Sequence, residues 1–323
     1  MRAIWYDQQG SAADVLTHGE IETPTAGAGE YLIRLHHSGV NPSDVKSRRG
    51  PRAMPFNRII PHSDGAGVIE AVGPNGDKSV IGKRVYIRNG QWQRPFGSAA
   101  EYIALNEDLV HDLPDNVGFD AGAGLGIPAL TAAYTVLKDG AVDGQTMVVH
   151  GGGGTVARLA IQIAIDAGAN VIATTKGNAD DLSDLGCSHV FDYSDPDLAA
   201  QIIGVAKDGV ARVVDAEIGV NLATDIEITA SKGIIVGYGT SLEMTPSLPF
   251  IPMMFKNITL SSILVYLLEA DEAAAYAAII HDMLTHGRLD VPIAGVFDMK
   301  DCVAAHEMVE AGARSGAVLL SCT

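Results

Sequence analysis

Apolar residues along the chain fall into two regimes. Up to about residue 125 they alternate in short runs broken by glycine, as in Tyr31-Leu32-Ile33-Arg34-Leu35, and helical spacing is sparse. Alternation of period two predicts half-buried strands, so this part reads as a small closed or partly open β-structure. Asn41-Pro42 signals a turn, and residues 43–49 read as a short helix after it. From 121 to 137 the pattern turns helical. Beyond it, β-branched runs at Met147-Val148-Val149, Asn170-Val171-Ile172-Ala173, Val213-Val214 and Ile234-Ile235-Val236 alternate with helical segments. Strands that alternate with helices predict a doubly wound parallel sheet. Residues 271–287 read as an amphipathic helix, 297–312 as another, and 316–320 as a terminal strand that rejoins the first part. The fold class is therefore α/β. One domain spans 1–125, completed by 267–323, and a second spans 126–266.

The central stretch of the second domain is His150-Gly151-Gly152-Gly153-Gly154-Thr155-Val156-Ala157. A buried strand, a glycine turn and a helix start are the parts of a nucleotide-phosphate cradle, and Gly152, Gly154 and Ala157 fit G-x-G-x-x-G/A. In this reading Gly152 permits the tight turn, Gly154 lets a pyrophosphate approach the backbone, and Ala157 lets helix and strand pack closely. The amides and dipole of the helix N-terminus complete an anion site with Gly153, Thr155 and Val156. The next strand ends in Thr174-Thr175-Lys176 where NAD-specific sites carry an acid. Hydroxyls and a cation there favour a 2′-phosphate, hence NADPH.

Composition narrows the partners. The 323-residue chain is 47% hydrophobic and carries a net charge of −17, which argues against nucleic acid and anionic membrane. No apolar run reaches the roughly 18 residues of a membrane span, and the N-terminus reads as a strand rather than a signal peptide. Cys187, Cys302 and Cys322 are widely spaced free thiols, which suits a cytoplasmic setting.

Taken together, Gly39-Val40-Asn41-Pro42-Ser43-Asp44, Asp64-Gly65-Ala66-Gly67-Val68-Ile69-Glu70-Ala71-Val72-Gly73, Ala100-Glu101-Tyr102, Gly126-Ile127-Pro128-Ala129-Leu130-Thr131-Ala132 and the glycine cradle resemble the zinc-independent, zeta-crystallin-like quinone oxidoreductases of the medium-chain dehydrogenase/reductase superfamily. The resemblance covers essentially the whole chain. It implies a GroES-like catalytic domain, a Rossmann NADPH domain and a homodimer. It further implies hydride transfer to a small electrophilic acceptor, a quinone or, alternatively, an activated C=C bond of an enone, enal or 2-substituted acrylate. A non-catalytic NADPH-binding or RNA-binding role is the reading from another class.

By the same resemblance, Asn41, Asp44 and Lys46 are the catalytic candidates. Asn41, Thr131, Thr175, Lys176, Tyr193, Gly237, Tyr238, Gly239, Ile263 and Val265 join the glycine loop around the cofactor, with Arg314 and Ser315 as weaker contacts. Relatives often have tyrosine where Lys46 stands. Zinc-using relatives carry Cys, His-Glu and Cys where this chain has Ser38, Ser63-Asp64 and Ile127, so no metal is expected. Arg48, Arg49, Arg52 and Arg94 are candidates for binding an acidic substrate or are ordinary surface charges.

Overall fold

A computed structural model describes residues 1–50, 53–177, 179–312 and 314–323, so Arg52 lies outside the described residues. The chain forms two compact units, Met1–Leu130 with Leu268–Thr323, and Thr131–Leu267.

In the first unit, Glu30–Val40 buries Ile33 and Leu35 and exposes Arg34 between them, the alternation its sequence predicts. It pairs antiparallel with Asp64–Val72, with Tyr102–Asn106 and with Ala317–Ser321. Arg84–Ile87 and Val110–Asp112 extend the sheet beyond Asp64–Val72. The core joins Ile4, Leu35, Ile69, Ile87, Ile103 and Leu320, so the last strand of the chain is part of the first domain's interior. Gly67 has a steric reason: a Cβ there would lie 2.0 Å from the Arg34 carbonyl across the strand pair.

Two helical expectations are revised. Residues 297–312 are not one helix. Ile293–Asp298 is a strand parallel to Ala317–Ser321, with Phe297 opposite Leu320, and the helix covers only Cys302–Ala311. The Ile-Ala-Gly-Val-Phe run favours a strand, and the 3-10 turn Met299–Asp301 then separates strand from helix. The 121–137 pattern is also split, into Phe119–Gly122 and Pro128–Leu137. Between them Gly126 runs so close to Ile87 that a Cβ would lie 2.1 Å from its carbonyl, and Pro128 opens the second helix as its first residue.

The second unit is a six-stranded parallel sheet. Its order is His189–Asp192, Asn170–Thr175, Thr146–Val149, Val210–Asp215, Thr229–Gly237 and Thr259–Ser262. Strands whose sequence neighbours lie on opposite sides meet at Thr146–Val149 and Val210–Asp215, which is the reversal point where doubly wound sheets bind ligands. Val148, Ile172, Val213 and Ile235 are fully or almost fully buried, as near-continuous apolar strands covered on both faces should be.

Candidate active site and cofactor cradle

The cradle follows Thr146–Val149. His150 still donates its backbone N–H to Val214, residues 151–154 form the turn, and the helix Thr155–Asp166 begins with Gly154 at its N-cap. The left-handed residue of this turn is Gly151 (φ +70°), not Gly152 as the motif suggests. Gly152 is needed for packing instead, because a Cβ there would meet Leu182 Cδ1 at 2.6 Å. Gly153 differs: a Cβ would find only Thr175 Oγ1, at 3.6 Å, and at Gly154 only the Gly151 carbonyl, at 3.3 Å. The space over Gly153 is left unfilled by the protein, as expected where a ligand approaches the backbone, whereas at Gly154 the Gly151 carbonyl already crowds a Cβ. Arg158 N–H donates to Gly154, so the amides of Thr155 and Val156 precede the first helical bond and are available to an anion. Ala157 is buried at the base of the helix. These features fit a dinucleotide pyrophosphate.

Apart from Thr131, the other cofactor candidates of this unit lie at or just beyond the carboxyl ends of the same parallel strands. Thr175 ends its strand with its side chain buried, and Lys176 follows, exposed. The Lys176 charge helps hold the Asp192 carboxyl below its ordinary range, after the Ser194 hydroxyl and amide. Tyr193, just past the His189–Asp192 strand, is half exposed. Gly237 ends the Thr229–Gly237 strand, Tyr238 N–H donates to the Asp215 carbonyl, and Gly239 accepts from Ile218. Ile263 donates its N–H to Gly237, which sets it beside that strand end, and Val265, itself buried, starts a 3-10 turn. Thr131 is buried in the Pro128–Leu137 helix. In the first unit, Arg314 donates to the Val309 carbonyl and Ser315 is exposed.

The first unit assembles Asn41, Asp44 and a residue the sequence did not connect to them, Asp64. Asn41 caps the helix Pro42–Arg49, and its backbone N–H donates to Asp44 Oδ2 at 2.7 Å. Its side-chain amide donates to Asp64 Oδ2, also at 2.7 Å. Asn41 thus ties together two carboxyl groups, each almost wholly buried. Burial pushes Asp44 up to about 7 despite its bonds to Asn41. Burial also drives Asp64 well above the carboxylate range, and the neighbouring Asp44 charge adds to this. Lys46 lies exposed on the same helix.

Arg48 is not available to a substrate. It is fully buried, donates to the Gly10 carbonyl and pairs with Glu310, with Arg49 on the same carboxylate at 3.7 Å. Arg94 donates to the Ala104 carbonyl. Ser38 Oγ contacts His62 Nδ1 and Ser98 Oγ, each at 2.9 Å, and His62 Nε2 faces His306 Nε2 at 3.0 Å. Among the described residues no three His, Cys, Asp or Glu side chains gather to hold a metal ion.

The two units together have the build of a dehydrogenase/reductase: a GroES-like β-domain and a Rossmann domain. Residues 27–115 match the alcohol dehydrogenase GroES-like domain, and residues 155–281 the zinc-binding dehydrogenase domain. The chain is 28% identical over 316 residues to a quinone oxidoreductase of Homo sapiens, covering 96% of this chain and 94% of the relative. It is 28% identical to that of Sus scrofa over 314 residues, covering 95% and 93%. A mycobacterial protein solved with NADPH superposes with a TM-score of 0.88 at 26% identity, covering 99% and 100% of the two chains. A Pseudomonas syringae quinone oxidoreductase does so with 0.88 at 26%, covering 99% of each. Both domains are thus those of the medium-chain dehydrogenases/reductases, and along its whole length the chain is similar to zeta-crystallin-like quinone oxidoreductases.

Proposed function

We propose that this chain is an NADPH:quinone oxidoreductase, with Thr131–Leu267 as its cofactor domain and the remainder as its substrate domain. The observation that carries this reading is the unfilled backbone at Gly153, next to a strand end that bears Thr175 and Lys176 instead of an acid. The glycine-loop amides would hold the pyrophosphate, and Thr175, Lys176 and Tyr193 the 2′-phosphate side. Gly237–Gly239, Ile263, Val265 and Thr131 would line the nicotinamide side. When bound, NADPH supplies the hydride.

This chain's part is to orient the acceptor and offset the negative charge that grows on its oxygen. Lys46 is the cationic donor for that charge. Asn41 and Asp44 act as positioning residues, since the Asn41 amide is already committed to Asp64. The reaction is zinc-independent in this reading: Ser38 is occupied by His62 and Ser98, and Asp64 by Asn41, where zinc enzymes offer thiolate and imidazole. The acidic balance speaks against RNA as the ligand.

A cytoplasmic homodimer completes the proposal. No helix among the described residues is long and apolar enough to cross a membrane. Thr259–Ser262 is an edge strand with its Leu260 exposed, as are Phe250, Ile251, Met254 and Phe255 just before it in sequence. Such an edge with apolar neighbours suits a second copy. Light scattering should then report twice the 33.8 kDa chain mass.

The functional test is cofactor oxidation with NADPH and NADH against 1,4-naphthoquinone, a simple enone and a 2-substituted acrylate. Turnover of the quinone with NADPH is expected. Preference for the enone or acrylate would make the enzyme a C=C reductase, and tight NADPH binding without turnover of any acceptor would refute the proposed activity.

A further inference from the structure

Beneath the glycine turn lies a chain of hydrogen bonds that the hydride-transfer reading does not use. Gly151, the left-handed residue of the turn, directs its N–H at Thr174 Oγ1, 3.3 Å away. Gly152 N–H donates to the Thr174 carbonyl at 2.8 Å, so one residue holds two successive amides of the loop. Thr174 Oγ1 lies 2.9 Å from His150 Nδ1, and His150 Nε2 lies 2.9 Å from Asp225 Oδ1, on the helix Ile218–Ile228. Thr174 and Asp225 are fully buried, and His150 is 3% exposed.

Asp225, as a carboxylate, only accepts, so His150 Nε2 carries a proton, and the Asp225 charge, working against burial, raises the His150 pKa. Nδ1 then accepts from the Thr174 hydroxyl in the neutral imidazole or donates to it in the imidazolium. In both cases the bond fixes the rotation of the hydroxyl and leaves Thr174 Oγ1 a lone pair to accept from Gly151. Asp225 thereby orients His150, His150 orients the Thr174 hydroxyl, and the hydroxyl pins the one residue of the loop held at positive φ.

We propose that His150 is a positioning residue of the dinucleotide site: it presets, through Thr174, the turn whose amides receive the pyrophosphate. This rests on the cofactor reading above. The consequence is specific. Without the anchor, the loop spends part of its time in arrangements that do not present those amides, and the apparent affinity falls by the fraction lost. The adenosine 2′-phosphate end, carried by Thr175, Lys176 and Tyr193, does not depend on the turn.

The experiment measures dissociation constants on the full chain, by protein fluorescence, for NADPH and for adenosine 2′-monophosphate, which has no pyrophosphate. The variants are Thr174→Val, Thr174→Ser, His150→Gln and the double variant Thr174→Val/His150→Gln. Thr174→Val keeps the His150–Asp225 pair and the side-chain shape, so folding is retained. Loss of one buried hydrogen-bonding group predicts roughly tenfold weaker NADPH binding. Adenosine 2′-monophosphate should bind as to wild type, Thr174→Ser should restore NADPH affinity, and the double variant should be no worse than Thr174→Val alone. Unchanged NADPH affinity in Thr174→Val, equal losses for both ligands, or additive losses in the double variant would overturn the proposal. Wild-type protein that bound adenosine 2′-monophosphate but not NADPH would refute the cofactor reading, and this inference with it.

Discussion

The two candidate sites are built from different materials. The cradle of the Thr131–Leu267 unit is mostly backbone: amides at a helix start, space over Gly153, and strand ends gathered on one edge of a parallel sheet. The turn around Asn41 in the other unit is built from side chains, with one amide bonded to a buried carboxyl from a distant strand. A backbone site tolerates change in the residues around it but not the addition of a Cβ. A buried side-chain site tolerates little change of charge, because each group was placed to satisfy another.

Proton linkage should separate the two most widely. Asp44 is raised by burial from an ordinary 3.8 to about 7, so the folded state keeps a proton that the unfolded chain releases. Its contribution to stability is therefore complete below about pH 4 and is lost as pH rises through 7. At 1.36 kcal/mol per pH unit, up to about 4 kcal/mol is at stake. Asp44→Asn retains an acceptor for the Asn41 N–H without the charge. The wild type should lose stability relative to this variant from pH 4 to pH 8, read from urea midpoints at each pH. Parallel pH profiles of the two proteins would show that Asp44 is ionised in the fold and would remove the contrast.

The next largest effect belongs to the cradle. Gly153→Val places a branched side chain where the protein itself offers only Thr175 Oγ1 at 3.6 Å. The fold should accept it, while NADPH affinity falls at least about 100-fold, or about 3 kcal/mol. Gly152→Val should do the reverse in order of cause. It drives a side chain into Leu182 and lowers the melting temperature before any ligand is added. If Gly153→Val bound NADPH normally, the unfilled space would not be the pyrophosphate's.

How far each site could be read in the sequence follows from the same contrast. The cradle is local: strand, glycines and helix lie within twenty residues, so Gly153, Gly154, Thr155 and Val156 announce themselves by spacing alone. Even there the motif misassigned the turn, because the four consecutive glycines leave the left-handed position open to several registers and the strand geometry selects Gly151. The partners that hold the sites in shape were not legible. Asp64 meets Asn41 across 23 positions and Asp225 meets His150 across 75, and neither pair has a local pattern to reveal it. Arg48 shows the same limit in the other direction. Its neighbours in sequence are polar and suggest a surface charge, yet helix phase turns it inward to Glu310, 262 positions away. The 297–312 segment failed for a different reason: its apolar spacing suits a helix, but pairing of Ile293–Asp298 with Ala317–Ser321 takes its first residues into a strand.

The smallest effect tests the one place where the backbone site relies on a side-chain charge. Lys176 is exposed, so its pull on a 2′-phosphate acts through a high effective dielectric and is worth about 1 kcal/mol. Lys176→Glu replaces that attraction with a repulsion of similar size and adds a second negative charge near Asp192, whose carboxyl Lys176 now helps to keep ionised. The expected result is NADPH binding weakened roughly 10- to 30-fold, about 1.4 to 2 kcal/mol, with NADH binding nearly unchanged. The difference should shrink as salt is raised, since an exposed charge is screened within about 8 Å at physiological ionic strength. Equal losses for the two cofactors would mean that Lys176 shapes the loop rather than reading the phosphate, and the preference for NADPH would then have to come from Thr175 and Tyr193.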